Sequence, residues 1–154
     1  MNAEENIKEL RALMLPLQES YLLLPQTAVA DISFHYEKAR DRAQQPEWFY
    51  GNLYWHGSNI PVISYEKLNN QDYSSGLYKE KIAICNLLDS SENYSAVGLL
   101  VKAVPRMVQI GNGELLAGSS DQEQPFALSH VQFQGDMMTI PDLEKIGQLL
   151  DQSL

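Results

Sequence analysis

The stretch that most constrains the fold of this 154-residue sequence is Pro46 to Leu68, PEWFYGNLYWHGSNIPVISYEKL. After Gly51, Leu53 and Trp55 alternate with Asn52, Tyr54 and His56. Period-two alternation marks a strand with one face packed. Gly57-Ser58-Asn59 supplies turn chemistry, because Gly and Asn reach positive φ at little cost. Ile60 to Tyr65 then returns as a second strand. Its Pro61 has no N–H to give a ladder, which assigns it to an edge or a bulge. Pro46, Trp48 and Phe49 form a short entering turn that buries two rings. The whole reads as a β-hairpin.

The rest of the chain repeats short β signals. Residues 2–9 are polar and read as frayed or briefly helical. Arg11 to Gln18 alternates Leu13, Leu15 and Leu17 with Ala12, Met14 and Pro16, as an edge strand would. Tyr21 to Leu24 is a strand stopped by Pro25, and Gln26 to Ile32 reads as a turn or helical segment with Val29 and Ile32 inward. Ser33 to Gln45 is a strand end and an exposed loop. Tyr65 to Asn69 fits one helical turn, and Asn70 to Tyr78 a loop. Lys81 to Leu88 and Tyr94 to Val101 are apolar on both faces, so they belong at the middle of the protein. Val104 to Ile110 follows as a strand and Glu114 to Gln124 as an acidic loop. Phe126 to Phe133 and Met137 to Ile140 flank Gln134-Gly135-Asp136, a second hairpin. Pro141 to Ser153 reads as a helix, with Pro141 at its first position and Leu143, Ile146, Leu149 and Leu150 as its apolar stripe. Nine or ten strands, a terminal helix and no βαβ alternation predict a mainly-β barrel or double barrel.

Charge excludes some functions. Eleven basic against twenty acidic residues give −9, which disfavours nucleic acid and anionic membrane surfaces as partners. Lys38, Arg40 and Arg42 are the basic cluster, diluted by Glu37 and Asp41. No apolar run approaches the ~20 residues that cross a bilayer, and MNAEENIKEL lacks a signal-peptide core; a cytoplasmic protein without membrane insertion is expected. Chemistry is scarce as well. His35, His56 and His130 are scattered, so neither a metal nor another cofactor is expected. Cys85 lies mid-strand, as a small hydrophobe does. Glu114, Asp121 and Glu123 read as solvated carboxylates. Among the aromatics, Trp55 reads as core, while Tyr54 and His56 face outward as half-exposed strand residues or as a binding surface.

Pro46, Gly51, Gly57 and Pro61 also reproduce the spacing P-x4-G-x5-G-x3-P followed by Val62-Ile63, and this resembles CheW-like domains. Val29, Asp31 and Ile32 match that family's V-x-E-I element, Ile82 to Leu88 followed by Ala96 to Met107 its central strand pair with Gly98 at the glycine, and Gly135 to Ile146 its last strand and helix. The similarity spans about residues 10–150, and LLLPQTAVAD and VPRMVQI are most similar to members from chemosensory pilus systems, the ChpC type. It implies one domain over 10–154 after a flexible 1–9 segment. The domain would hold two SH3-like five-stranded β-barrels sharing a hydrophobic core, with a C-terminal helix. It further implies a non-catalytic adaptor between the cytoplasmic tip of a chemoreceptor and the regulatory domain of a CheA-type histidine kinase, in control of twitching. Val29, Gly51, Tyr54, His56 and Gly57 are the partner-binding residues so implied, with Gly51 letting a helix approach the backbone. His56 stands where the family has arginine, and Ser64 where it has aspartate. If His56 meets an acidic partner, binding strengthens as pH falls through the ordinary histidine range near ~6.5. Two other readings are a competitor that binds only the kinase domain and a small-ligand sensor or enzyme using a pocket between the lobes near His56 or His130.

Overall fold

The structure is a computed structural model that describes residues 9–74, 76, 79–120 and 123–154. Among these the strands are β1 (Leu10–Pro16), β2 (Tyr21–Pro25), β3 (Val29–Ser33), β4 (Glu37–Lys38), β5 (Phe49–Trp55) and β6 (Ser58–Ile63). A short helix α1 (Tyr65–Leu68) follows. Then come β7 (Lys81–Asn86), β8 (Ala96–Val101), β9 (Arg106–Ile110), β10 (Leu115–Ala117), β11 (Ala127–Phe133), β12 (Asp136–Pro141) and helix α2 (Leu143–Ser153). They form two six-stranded sheets, in the orders β10-β11-β12-β2-β1-β9 and β3-β7-β8-β6-β5-β4. The mainly-β architecture with a terminal helix follows the sequence reading. Each expected five-stranded unit is extended by a short end strand, the three-residue β10 or the two-residue β4.

The second sheet is built from one continuous stretch, β3 to β8, whereas the first joins β1 and β2 to β9–β12. After β2, a 3-10 turn at Gln26–Ala28 carries the chain to β3, on the edge of the second sheet. After β8, residues 102–105 carry it back to β9, on the edge of the first. Read from β4, the second sheet repeats the first: a hairpin (β5–β6 or β11–β12), a parallel pairing (β6 with β8 or β12 with β2), then two antiparallel neighbours. The repeat extends to the residue. Register shifts at Phe49/Gly51 and Ala127/Ser129, turns at His56 and Gln134, and helix caps at Ser64 and Asp142 are each 78 residues apart. The sequence carries a trace of this in Ser64-Tyr65-Glu66-Lys67-Leu68 against Asp142-Leu143-Glu144-Lys145-Ile146.

Crossing of the chain puts three apolar clusters in place. One is shared: Leu15, Leu22 and Leu24 of the first sheet meet Ile63, Cys85, Val97 and Leu99 of the second, closed by Tyr65, Ile146 and Leu150 from the helices. Ile60, Val62, Ile82 and Leu100 gather on the other face of the second sheet, and Met14, Leu23, Phe133 and Met138 on that of the first. Strands covered on both faces carry no polar alternation, which is why β8 is buried at all six positions.

Several local expectations change. β1 is not an edge strand, because β9 from the second half pairs along it. Val29 opens a strand instead of lying in a helical segment. Leu115–Ala117 pairs with β11 inside the supposed acidic loop. Pro61 lies neither on an edge strand nor at a bulge. It faces Asn52 in β5 two pairs beyond Ile60's neighbour Asn59, and counting from the turn this is a non-hydrogen-bonded pair. Its missing N–H therefore points toward β8, whose ladder begins only at Val62. Pro141 ends β12, and Asp142 caps α2 by accepting from the Lys145 N–H at 3.1 Å. Of the segment 1–9, only Glu9 is among the described residues.

Buried Glu66, 4% exposed, ties α1 to the turn after β1. Its carboxylate accepts from the Gln18 N–H at 3.2 Å and from the Ser64 hydroxyl at 3.2 Å. Burial pushes its pKa up, and the nearby Glu80 carboxylate adds to this. A raised carboxyl pKa means the folded state holds the proton more tightly, so ionised Glu66 is a penalty near neutral pH that is relieved as pH falls through its folded pKa. Glutamine can still accept from the Gln18 N–H through its carbonyl oxygen and can donate its amide to the Ser64 hydroxyl, without the charge. Glu66→Gln is therefore expected to melt higher than the parent at pH 7.5, with a gain that fades toward pH 4.5; thermal melts across that range read it, and a constant difference would refute it.

Candidate partner-binding surface

Where the chain passes between sheets, β3 and β9 bound a crevice of about 270 Å³ lined by Leu13, Gln26, Val29, Ala30, Asp31, Ile32, Pro105 and Met107. Val29, Ile32 and Leu13 pack beneath it on the shared core. Met107 is 50% exposed. The floor is thus apolar and continuous with the protein's centre. The edge of β3 is blunted against strand addition by the shift at Ala30 and by the Asp31 carboxylate, which accepts from the Ile32 N–H at 2.8 Å. Such a trough suits the apolar face of a helix.

Asp31 joins this crevice to the β5–β6 turn, because its other carboxylate oxygen accepts from Trp55 Nε1 at 3.3 Å. The turn consists of His56 and Gly57, with φ of 47° and 78°. Positive φ at both central residues matches the twist of the flanking strands, and histidine is among the side chains that tolerate it best. This corrects the sequence reading: the strand ends at Trp55, and Ser58 and Asn59 belong to β6. His56 does not face away from Trp55 as an alternating strand residue would. Its ring stacks on the indole at 4.1 Å and 16°. Tyr54 is 75% exposed beside them, while Trp55 is half-buried against the second sheet's own cluster.

Gly51 stands apart from this surface. It is buried, and a Cβ there would fall on the Glu37 carbonyl oxygen and lie 3.0 Å from Lys38 Cα. The absent side chain makes room for β4. Of the implied residues, the fold thus brings Val29 together with His56 and Gly57 through Asp31 and Trp55, with Tyr54 at their flank. Pro105 and Met107 were missed, and only the crossing of β9 to the first sheet brings them there.

Away from this surface, Tyr36, Arg42, Tyr50, Glu66 and Glu80 lie within electrostatic reach of one another. Burial drives the Cys85 thiol pKa up to about 12. Glu114 caps a turn, accepting from the Gly111 N–H at 2.7 Å, and Asp121 lies outside the described residues. His130 Nδ1 lies 3.1 Å from Thr139 Oγ1 in a polar hollow of about 230 Å³. A cavity of about 630 Å³ is lined by Asn69, Asn70, Gln71, Asp72, Glu123 and Pro125. Among the described residues no three His, Cys, Asp or Glu side chains cluster to hold a metal, and no helix is long and apolar enough to cross a membrane.

Two β sheets thus share one core, with an apolar crevice at the seam between them. Residues 11–150 match the CheW-like domain, and the chain belongs to that family. Its fold is similar to the crystal structure of the scaffolding protein TtCheW from Thermoanaerobacter tengcongensis, with a TM-score of 0.70, 18% identity, and coverage of 87% of this chain and 89% of that one. No curated protein matches the sequence.

Proposed function

We propose that this protein is a non-catalytic adaptor of chemosensory signalling that holds a chemoreceptor's cytoplasmic tip beside the regulatory domain of a CheA-type histidine kinase. The observation that supports this most is the crevice between β3 and β9, an apolar trough on the seam whose one wall is blunted against strand pairing. The scaffolding role named for TtCheW agrees with it. Val29 forms the crevice floor, and Tyr54, His56 and Gly57 form the adjoining rim that a docked helix would touch. Similarity to the pilus-type members extends the proposal to twitching control, so deletion should alter twitching and leave flagellar swimming unchanged.

The test is capture of receptor tip and kinase regulatory domain, measured separately, by the parent protein and by Val29→Arg. A charge driven into an apolar floor should weaken receptor-tip binding at least about tenfold and leave the kinase domain's affinity within twofold. A parent that binds the kinase domain alone would instead be a competitor. Binding of neither would end the adaptor reading.

A further inference from the structure

Leu88, between β7 and β8, is 81% exposed with φ of 51°. A left-handed conformation costs a side-chain-bearing residue about 1–2 kcal/mol, and glycine would occupy it freely. The loop nevertheless holds it. The Leu87 N–H donates to the Ser95 carbonyl at 3.0 Å, and the Leu87 carbonyl accepts from the Ser90 N–H at 2.8 Å. The Asp151 carboxylate of α2 accepts from the Ser91 hydroxyl and from the Glu92 and Asn93 N–H groups at 2.7, 2.7 and 3.1 Å. The result is a rigid apolar knob, strained and solvated together, and strain maintained in this way points to use of the side chain. Asp89 and Glu92 flank it, with no Lys or Arg between Lys81 and Lys102.

The chain carries a complement to this knob. Tyr36, Lys38, Ala39, Arg42 and Tyr50 line a hollow of about 250 Å³ beside β4. Its walls are aromatic and its rim is the basic cluster, with the Arg42 guanidinium 4.0 Å above the Tyr50 ring. Glu37 faces Arg40 at 4.0 Å, and the Glu80 carboxylate lies within electrostatic reach of Lys38, Tyr36 and Tyr50, so Arg42, above the Tyr50 ring, is the cation the hollow presents. The hollow shares no residue with the loop that carries the knob.

We propose that a second copy of this chain is the occupant: Leu88 of one protomer inserts into the Tyr36–Arg42–Tyr50 hollow of the next, with Asp89 and Glu92 against Lys38 and Arg42. Knob and hollow are different surfaces, so the contact is head-to-tail and extends into rings or open chains. It involves neither Val29 nor His56, and it stands or falls independently of the receptor and kinase reading.

Sedimentation velocity of the full chain, at about 50 and about 500 mM salt, should show concentration-dependent assembly that weakens at the higher salt. Leu88→Gly should melt no lower than the parent, since it relieves strain, and should weaken assembly at least about tenfold. Arg42→Glu should weaken assembly to a similar extent from the other side, with some loss of melting temperature because Arg42 also donates to the Glu47 carbonyl and lies over Tyr50. Mixing the two variants is decisive. Leu88→Gly keeps its hollow and Arg42→Glu keeps its knob, so the mixture should form heterodimers and nothing larger. A parent that stays monomeric, assembly that survives Leu88→Gly, or an inert mixture would overturn the proposal.

Discussion

Gly147→Val is expected to unseat the C-terminal helix. A Cβ at residue 147 would lie 2.7 Å from the Ser90 carbonyl oxygen and 2.9 Å from its carbon, both backbone atoms. That loop is stapled to the same helix by Asp151, so it has little freedom to retreat. The helix must tilt away, and Ile146 and Leu150, each 0% exposed, leave the shared core with it. Losing burial of two such side chains costs about 3–5 kcal/mol, or roughly 10 °C in melting temperature for a chain of this size. In an isolated helix, replacing glycine would stabilise by a few tenths to about 1 kcal/mol. The sign therefore separates the two accounts: a urea midpoint shifted downward with an unchanged slope supports close packing against Ser90, and one that stays put or rises rejects it.

Strand existence was legible wherever one face alternates or both are apolar: Asn52 to Trp55, Lys81 to Asn86 and Ala96 to Val101 announce themselves. Strand neighbours were not. β1 looked like an edge because the β9 that covers it pairs with it across 92 to 100 residues of chain, and nothing local in Arg11 to Gln18 records that pairing. His56 was misplaced by one step because alternation cannot tell the last strand residue from the first turn residue; the I′ turn is set by backbone φ, and histidine is not a signature residue for it. The candidate surface was legible only in part, since Val29 and the hairpin glycines carry the family spacing. Pro105 and Met107 become part of it through topology alone. Gly51 shows the opposite failure, for a glycine kept for close approach does not say what approaches. Leu88 gave no signal at all, because a leucine in the left-handed region reads in sequence like any strand-end hydrophobe.

Gly51→Val is the second change with a large expected effect, and its outcome should be local. The new Cβ would collide with the Glu37 carbonyl and the Lys38 Cα, so β4 cannot stay on β5. Yet β4 contributes only two residues and sits at the end of its sheet, which limits the loss to that strand, the Ala39 N–H to Tyr50 carbonyl hydrogen bond of 2.9 Å, and the packing of Tyr36 on the second sheet's cluster. That amounts to about 2–3 kcal/mol, after which the penalty saturates because the strand has simply detached. Hydrogen exchange distinguishes this from general unfolding. The Ala39 amide should lose its protection while the amides of β7 and β8, paired along six residues, keep theirs. The crevice between β3 and β9 is held from the far edge of the second sheet and from the first sheet, so receptor-tip affinity should change by less than about threefold. Loss of that binding with the Ala39 amide still protected would show that Gly51 itself meets the partner, and would remove β4 as the reason for glycine at this position.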